Sequence, residues 1–401
     1  MADSEDKPSS TELDVRLSTS VWSGDRQLNY ETGVFYPQVN IKMMHKLPSG
    51  VNLVAEGYAG QEYGLSSGRS RAALKEAYMS VKQDRALTRL GWQIVSWGRA
   101  DVVNPTDNVA AYDYTLLVPS DAEQKLGVLS ANVTYRLDTA SVQAIWQPAF
   151  RGSQIPLPQV SGSEYVERKP EGLQDSGGVR YDVTGDHLAW SVSYFRGPSK
   201  PPNLALEPAR VAQGFLDTNH PDVATYGVDL EYLAGHWLVR GEAAYNDIEG
   251  SGETLLASRE SFALAVLGVE RDFGDASGFL QMTYRRIFDF VDPYQAPPQL
   301  INLALANAVV NNEARESLFG LGAGFTYNTS DFRWSVSADL AYFMVNNDFA
   351  LRPRIRYQLN DAVSLWAGGD YFTGVDTGQL GRLEKNTAAF IGVTISRLTQ
   401  W

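Results

Sequence analysis

Residues 333–343, RWSVSADLAYF, alternate between two kinds of side chain. Trp334 and Leu340 stand at even positions, whereas Ser335 and Asp339 stand at odd positions. Successive side chains of a β-strand point to opposite faces, so this spacing predicts a strand with one apolar and one polar face. A slip of one residue would carry every polar side chain to the apolar face, and the register is therefore strongly specified.

The same alternation recurs from end to end of the chain. Most of the segments that show it are longer than the strands of about 5–6 residues that are usual in soluble proteins. They approach the roughly 9–11 residues with which a tilted strand crosses a bilayer. The predicted strands lie at roughly 12–23, 33–46, 51–63, 73–83, 86–97, 126–136, 139–149, 177–184, 186–196, 224–233, 236–247, 261–272, 276–287, 317–329, 331–343, 348–358, 361–373 and 386–397.

The connections between these segments alternate between short and long. Short ones carry tight-turn residues, such as Pro48-Ser49-Gly50, Gly185-Asp186 and Asn360-Asp361. The long ones lie at about 98–125, 150–176, 197–223 and 288–316. This rhythm is typical of a transmembrane antiparallel β-barrel with short periplasmic turns and long extracellular loops. The sequence thus predicts an all-β barrel of about 18 strands, in the range of roughly 16–18, with both termini in the periplasm.

Composition supports this class. No apolar run approaches the roughly 18 residues of a membrane-spanning helix, and the chain has no cysteine. The net charge of −13 argues against nucleic-acid binding and against attraction to anionic lipid. The polar start of the chain shows no signal peptide, so we expect a mature outer-membrane chain from which that peptide has been removed. Residues 1–11 are expected to be a disordered tail, and residues 12–401 a single barrel domain.

Parity along the strands identifies the side chains that face the lumen. The clearest set is Arg352, Arg354 and Arg356, named here the arginine ladder, because an arginine facing lipid near the midplane costs about 2–4 kcal/mol. These groups could line a selectivity wall, or opposite charges on neighbouring strands could neutralise each other. For the ladder we favour contact with solute, because no equally dense acidic strand is evident nearby. The other predicted pore-lining residues are Arg285, Arg240, Lys42, Lys82, Asp229, Glu231, Asp339 and Asp370.

The connection at 288–316 contains a second candidate feature. Between Gln299 and Ser317, Ile301, Leu305 and Val309 recur at helical spacing. This predicts a short helix, which either folds into the mouth and narrows it or caps the rim from outside.

Enzymatic readings find little support. The four histidines are scattered, and no catalytic triad or clustered metal-ligand motif is present in the sequence. Gly320, Gly322 and Gly324 lie within a predicted strand, where glycine is expected to relieve crowding at the wall. We therefore expect no enzyme activity, no cofactor and no metal site.

A resemblance enters at residues 90–99, LGWQIVSWGR, and at the NPTD turn of residues 104–107. A strand that ends in a Trp-Gly step and leads into a long loop with an Asn-Pro-x-Asp turn resembles large proteobacterial outer-membrane porins. More narrowly, it is similar to alginate-export-like barrels and to barrels implicated in moving hydrophobic compounds. The resemblance implies a transport barrel of 18 strands and leaves the substrate open.

These observations together predict an outer-membrane channel of a Gram-negative bacterium that passes polar, anionic or amphiphilic solutes through a charged lumen. One alternative is a channel that exports an acidic exopolysaccharide. Another is a barrel plugged by its loops that serves as a structural protein, receptor or adhesin. We expect a monomer that contacts the lipid bilayer and lipopolysaccharide, takes a small solute or polysaccharide, binds no nucleic acid and leaves room for a periplasmic partner.

Overall fold

A computed structural model describes residues 9–28, 32–65, 68–100, 102–157, 160–250 and 260–401. Eighteen strands form one antiparallel sheet. They are β1 Ser10–Gly24, β2 Thr32–Lys46, β3 Val51–Tyr63, β4 Gly68–Gln83, β5 Ala86–Gln93, β6 Val128–Arg136, β7 Ala140–Gln147, β8 Ser176–Thr184, β9 Leu188–Pro198, β10 Asp222–Ala234, β11 Trp237–Ile248, β12 Phe262–Asp272, β13 Ala276–Ile287, β14 Ser317–Asn328, β15 Trp334–Phe343, β16 Asp348–Gln358, β17 Val363–Thr373 and β18 Ala388–Gln400.

The sheet closes on itself. Each strand pairs with the next along the chain, and β18 pairs with β1 in a register that places Phe390 opposite Trp22. At the seam, Thr11 N donates to Trp401 O at 2.8 Å, and Trp401 N donates to Thr11 O at 3.1 Å. Closure removes the unpaired edges that no strand can expose in hydrocarbon. The predicted fold class and the even number of strands are confirmed.

The two faces of the wall follow the predicted parity. Outward side chains are apolar and exposed, as at Leu267, Leu280 and Ile391. Inward side chains on the same strands are polar or tightly packed, as at Gln281 and Val266. The outer face therefore presents an apolar surface to lipid.

The connections also behave as predicted. At one end of the barrel every turn has at most five residues, and the long connections all lie at the other end, which the usual orientation of such barrels makes extracellular. The small sheet of strands Glu164–Glu167, Asn203–Leu204 and Phe215–Asn219, helix α1 (Pro208–Val211) and helix α2 (Ile301–Val310) belong to this loop end. In the described part of the chain, no helix has the length and hydropathy to span a bilayer.

Several predicted boundaries need correction, and β4 begins at Gly68 and not at residue 73. Ser10 and Thr11, placed in the disordered tail, belong to β1, and residues 1–8 of that tail lie outside the described residues. Strand β5 ends at Gln93 and not at Trp97. Trp97 is buried inside the barrel against Phe195. The alternation of apolar residues continued past the strand because the chain there enters the lumen, where apolar side chains are buried as well.

Candidate solute pathway

The segment between β5 and β6, residues 94–127, runs through the lumen and is named the inner loop. Its first half crosses to strands on the far side of the barrel. Val102 N donates to Gln281 Oε1 at 3.3 Å, and Gln281 Nε2 donates back to Val103 O at 3.3 Å. Val102 also covers Gly322 of β14, where a Cβ atom would lie 3.0 Å from it. The glycine thus makes room for the loop at the wall.

A single carboxylate of β11 holds this half of the inner loop. Glu242, only 4% exposed, accepts from Arg99 N at 2.9 Å and from Ala100 N at 3.1 Å. It also accepts from Thr106 N at 2.7 Å and from Thr106 Oγ1 at 2.8 Å. An irregular loop in a confined space must find partners for its backbone N–H groups, and a buried carboxylate supplies strong acceptors for several of them at once.

The second half of the inner loop lies against the opposite wall. Leu116 and Leu117 pack on an apolar cluster that includes Trp22, Tyr36 and Phe390 on the inner faces of β1, β2 and β18. The inner loop therefore spans the lumen and is attached on both sides.

Arginines fix the backbone of this half. The Arg26 guanidinium donates to Leu116 O at 2.6 Å and to Val118 O at 3.1 Å. Arg71 of β4 donates to Thr115 Oγ1 at 3.0 Å and is ion-paired with Glu62 and Asp113.

Two rungs of the arginine ladder are paired. Asp370 of β17, 3% exposed, lies 2.9 Å from Arg26 and 2.9 Å from Arg352, and it also contacts Arg354. Arg352 forms a second, bidentate pair with Asp121 of the inner loop. The expectation that the ladder lacks acidic partners is therefore wrong, because one partner comes from the next strand and the other from a loop. The role of the ladder in selectivity stays a prediction.

Arg356 differs from the other two rungs. Its Nη2 donates to Gln358 Oε1 at 2.9 Å. Among the described residues, no carboxylate lies within 4 Å of its guanidinium.

Three of the seven remaining predicted pore-lining residues, Arg240, Glu231 and Lys42, form pairs across neighbouring strands. Arg240 bridges Glu231 at 3.0 Å and Glu270 at 2.7 Å, and Lys42 lies 3.1 Å from Glu56. This pattern matches the neutralised wall more closely than a row of free charges.

The others occupy different settings. Asp229 is buried between Arg180 and Arg99, and Arg285 contacts Asn312 O. Lys82 is exposed. It lies on the same face of β4 as Ser80, whose partner in the strand register is Arg89 of β5. Asp339 lines the cavity described next.

A cavity of about 950 Å³ lies beside the inner loop. Its wall includes all three rungs of the ladder, Asp339 and Trp366. The part of the inner loop that borders it is residues 119–123. The cavity is the open space of the lumen next to the loop, and its lining mixes acidic, basic and neutral polar groups.

The connection between β13 and β14, residues 288–316, is named the mouth loop. It contains the predicted helix, α2, which lies among the other extracellular loops. Asn311 accepts from Leu204 N at 2.8 Å and donates to Leu204 O at 3.1 Å. Arg382, from the connection between β17 and β18, donates to Val309 O at 2.6 Å. Because these partners follow β9 and β17, nearly opposite strands of the ring, the helix bridges loops across the mouth. Of the two predicted positions, this resembles a cap more than an insertion into the bore.

Comparison with known proteins places the chain in a family. A family model described as a protein of unknown function (DUF1302) matches residues 35–360. The chain belongs to the DUF1302 family. A comparison of this DUF1302 protein with curated proteins finds no match.

Solved structures share its fold. OccAB4 from Acinetobacter baumannii aligns with a TM-score of 0.58 at 10% identity over 100% of both chains. OccK5 (OpdH) from Pseudomonas aeruginosa gives 0.57 at 9% identity over 98% of both chains. OpdK with vanillate, from the same organism, gives 0.55 at 10% identity over 98% of this chain and 99% of that one. At such identities the likeness shows the fold alone, which is the closed 18-stranded barrel of outer-membrane porins.

The finer resemblances to alginate-export-like barrels and to barrels for hydrophobic compounds are not confirmed. Sequence reasoning also missed the residues that seat the inner loop, above all Arg26, Arg71 and Glu242 in that role. Glu242 has the same parity as the predicted pore-lining residue Arg240 on its strand, but no sequence signal indicates which loop it holds. Within the described ranges, no group of three or more His, Asp or Glu side chains is placed to hold a metal ion. The expectation that the protein is not an enzyme stays a prediction.

Proposed function

We propose that this DUF1302 protein is a channel for small polar solutes, and that its inner loop sets the width and the chemistry of the passage. The observation that carries the proposal is the cavity of about 950 Å³ bounded by a polar wall and by a loop attached to both sides of the barrel. A barrel of eighteen strands is wide enough to enclose a channel. A loop that crosses the lumen narrows the channel and leaves the cavity beside it open.

Anionic or amphiphilic solutes are the proposed cargo. Among the described residues, no carboxylate lies within 4 Å of the Arg356 guanidinium, and Glu123 of the inner loop interacts with it only at longer range. Trp366 offers an aromatic surface in the same cavity. The paired arginines Arg352 and Arg354 contribute less free charge than their number suggests. We expect the other predicted pore-lining residues to shape the field in the lumen through their pairs, with lipid on the outer face and a monomeric barrel as the working unit.

A plugged structural, receptor or adhesin barrel is the second candidate, and the double attachment of the inner loop is the observation that favours it. Export of an acidic exopolysaccharide has less support, because a polymer would need the part of the bore through which the loop passes.

Single-channel recording in planar bilayers tests the proposal. The intact protein is expected to give discrete conductance steps in KCl. If the intact protein is silent and conducts only after removal of the inner loop, the plugged barrel replaces the channel.

A further inference from the structure

Two inward side chains on adjacent strands stand side by side in the cavity. Arg356 of β16 and Trp366 of β17 are direct partners in the strand register, and both line the cavity. Side chains directly opposite each other on one face of an antiparallel pair have Cβ atoms about 4.5–5.5 Å apart. A ligand of modest size can therefore touch both at once.

The indole of Trp366 is held flat against the wall. Its Nε1 donates to Thr394 Oγ1 at 3.1 Å. The ring lies over Gly392 of β18, where a Cβ atom would come within 2.3–2.7 Å of the ring atoms Cζ2, Cη2 and Cε2. Only glycine leaves space for the ring in this position. Since one face of the ring is against the wall, the other face is turned to the cavity, where a second ring can stack on it.

The guanidinium beside it is available to an anion. Arg352 and Arg354 are occupied by Asp370 and Asp121, whereas Arg356 is exposed and hydrogen-bonded to the neutral amide of Gln358. A guanidinium has five N–H donors in a fork that matches a carboxylate. Arg356 therefore retains N–H donors for a solute that carries a carboxylate.

We propose that Trp366 and Arg356 form a subsite for a flat ring-bearing anion, an aromatic carboxylate, whose ring stacks on the indole while its carboxylate pairs with the guanidinium. The subsite rests on the proposed channel, since the solute has to enter the lumen to reach it. Neither half is sufficient alone. A small aliphatic carboxylate meets only Arg356, and a neutral aromatic alcohol meets only Trp366.

Isothermal titration of the purified barrel in detergent tests the subsite, with benzoate, acetate and benzyl alcohol as probes. Benzoate is expected to bind more tightly than either of the other two. Trp366→Ala and Arg356→Gln are each expected to weaken benzoate by about tenfold, which corresponds to about 1.4 kcal/mol. Trp366→Phe, which keeps a ring, is expected to retain most of the affinity.

The matched control is Trp334→Ala, because Trp334 is an outward tryptophan that stacks on Tyr357; it is expected to leave benzoate binding unchanged. The mobility shift on heating shows whether each variant forms the barrel. Equal benzoate affinity in the intact protein, Trp366→Ala and Arg356→Gln overturns the subsite, as does equal affinity for benzoate and acetate. Titration does not depend on ion flow. Benzoate binding without conductance would therefore refute the channel but not the subsite. Conductance without benzoate binding would refute the subsite but not the channel.

Discussion

The inner loop and the mouth loop are both long extracellular connections, yet they are held in different ways. The inner loop is attached mainly by charged side chains of the wall, among them Glu242 and Arg71, and also by Arg26 of the connection that follows β1. The mouth loop is attached mainly by other loops, through Asn311 on Leu204 and Arg382 on Val309. This difference indicates that polar side chains on the inner wall determine which loop enters the lumen. A loop can enter only where buried polar groups pair with its backbone N–H and C=O groups.

The cost of burial explains why the inner loop needs this wall. Each backbone N–H or C=O that enters the lumen gives up water and must be paired. The carboxylate of Glu242 and the guanidinium of Arg26 are themselves buried, so loop and wall satisfy each other. The mouth loop is buried only in part, since Val291 and Tyr294 are exposed, and its helix α2 pairs part of the loop backbone within itself.

Removing each loop in turn gives the largest expected effect. Gln93 and Val128 are paired neighbours, so a short Gly-Ser linker can replace residues 96–125 without changing the strand pairing of the wall. The single-channel conductance is expected to rise severalfold, since the linker vacates the lumen. Replacing residues 297–312 of the mouth loop is expected to change the conductance much less. If the mouth-loop variant shows the larger increase, the assignment of the two loops is reversed.

Asp370→Asn tests the charge cluster that receives the inner loop. Three arginines share this carboxylate, and removing one partner of a buried ion pair costs about 3–5 kcal/mol. We expect a lower temperature for the heat-induced mobility shift, together with a reversal potential in a KCl gradient that moves toward anion preference.

Asp339→Asn is the matched control for Asp370. It removes the same charge from β15, the other neighbour of the ladder strand β16, and within the described residues Asp339 has no ion pair. Its reversal potential should move in the same direction while its thermal stability stays close to that of the intact protein. Equal loss of stability in both variants would contradict the account of the cluster.

Glu242→Ala tests the other attachment. A hydrogen bond to a charged group contributes about 1.5–3 kcal/mol, and four donors of the inner loop would lose their acceptor. The loop should then move, and single-channel records should show a larger and noisier open current. Glu231→Gln changes the same charge on the neighbouring strand, where the partner is Arg240 and not the loop. An equally noisy current in that control would show that charge, and not the seating of the loop, is responsible.

Lys200→Met tests the contact between the β9–β10 connection and the inner loop, and it is expected to have the smallest effect. Lys200 is 5% exposed and donates to Gln147 Oε1 at 2.8 Å, and the Gln147 amide donates on to Val109 O of the inner loop at 3.0 Å. Burial lowers the pKa of Lys200 from 10.5 to about 7. The rings of Phe150 and Phe195 offset part of the cost of its charge.

The sign of the pH dependence follows from this lowered pKa. Below about pH 7 the packed loops must bury a charged lysine, and between pH 7 and 10.5 displaced loops bind a proton that packed loops do not. Stability therefore rises with pH across that window. Lys200→Met should raise the unfolding temperature at about pH 6, with a gain that shrinks by about pH 10. A gain that grows with pH would contradict the buried position of the lysine.

The sequence by itself determined the barrel. The period of two in segments such as 333–343 separates an apolar from a polar face, and the alternation of short and long connections sets the topology; both are local properties. The same parity placed Arg352, Arg354 and Arg356 on the wall of the cavity, where the structure has them.

Only the tertiary structure decided what those side chains meet. Asp121 lies far along the chain from Arg352, and Thr106 lies far from Glu242. No local sequence pattern predicts such pairings, because they depend on the path of a loop whose sequence has no periodicity. The helical spacing of the mouth loop predicted helix α2 but left its position open. The inner loop enters the lumen because buried charges compensate its backbone, an energy term that exists only once the barrel has closed.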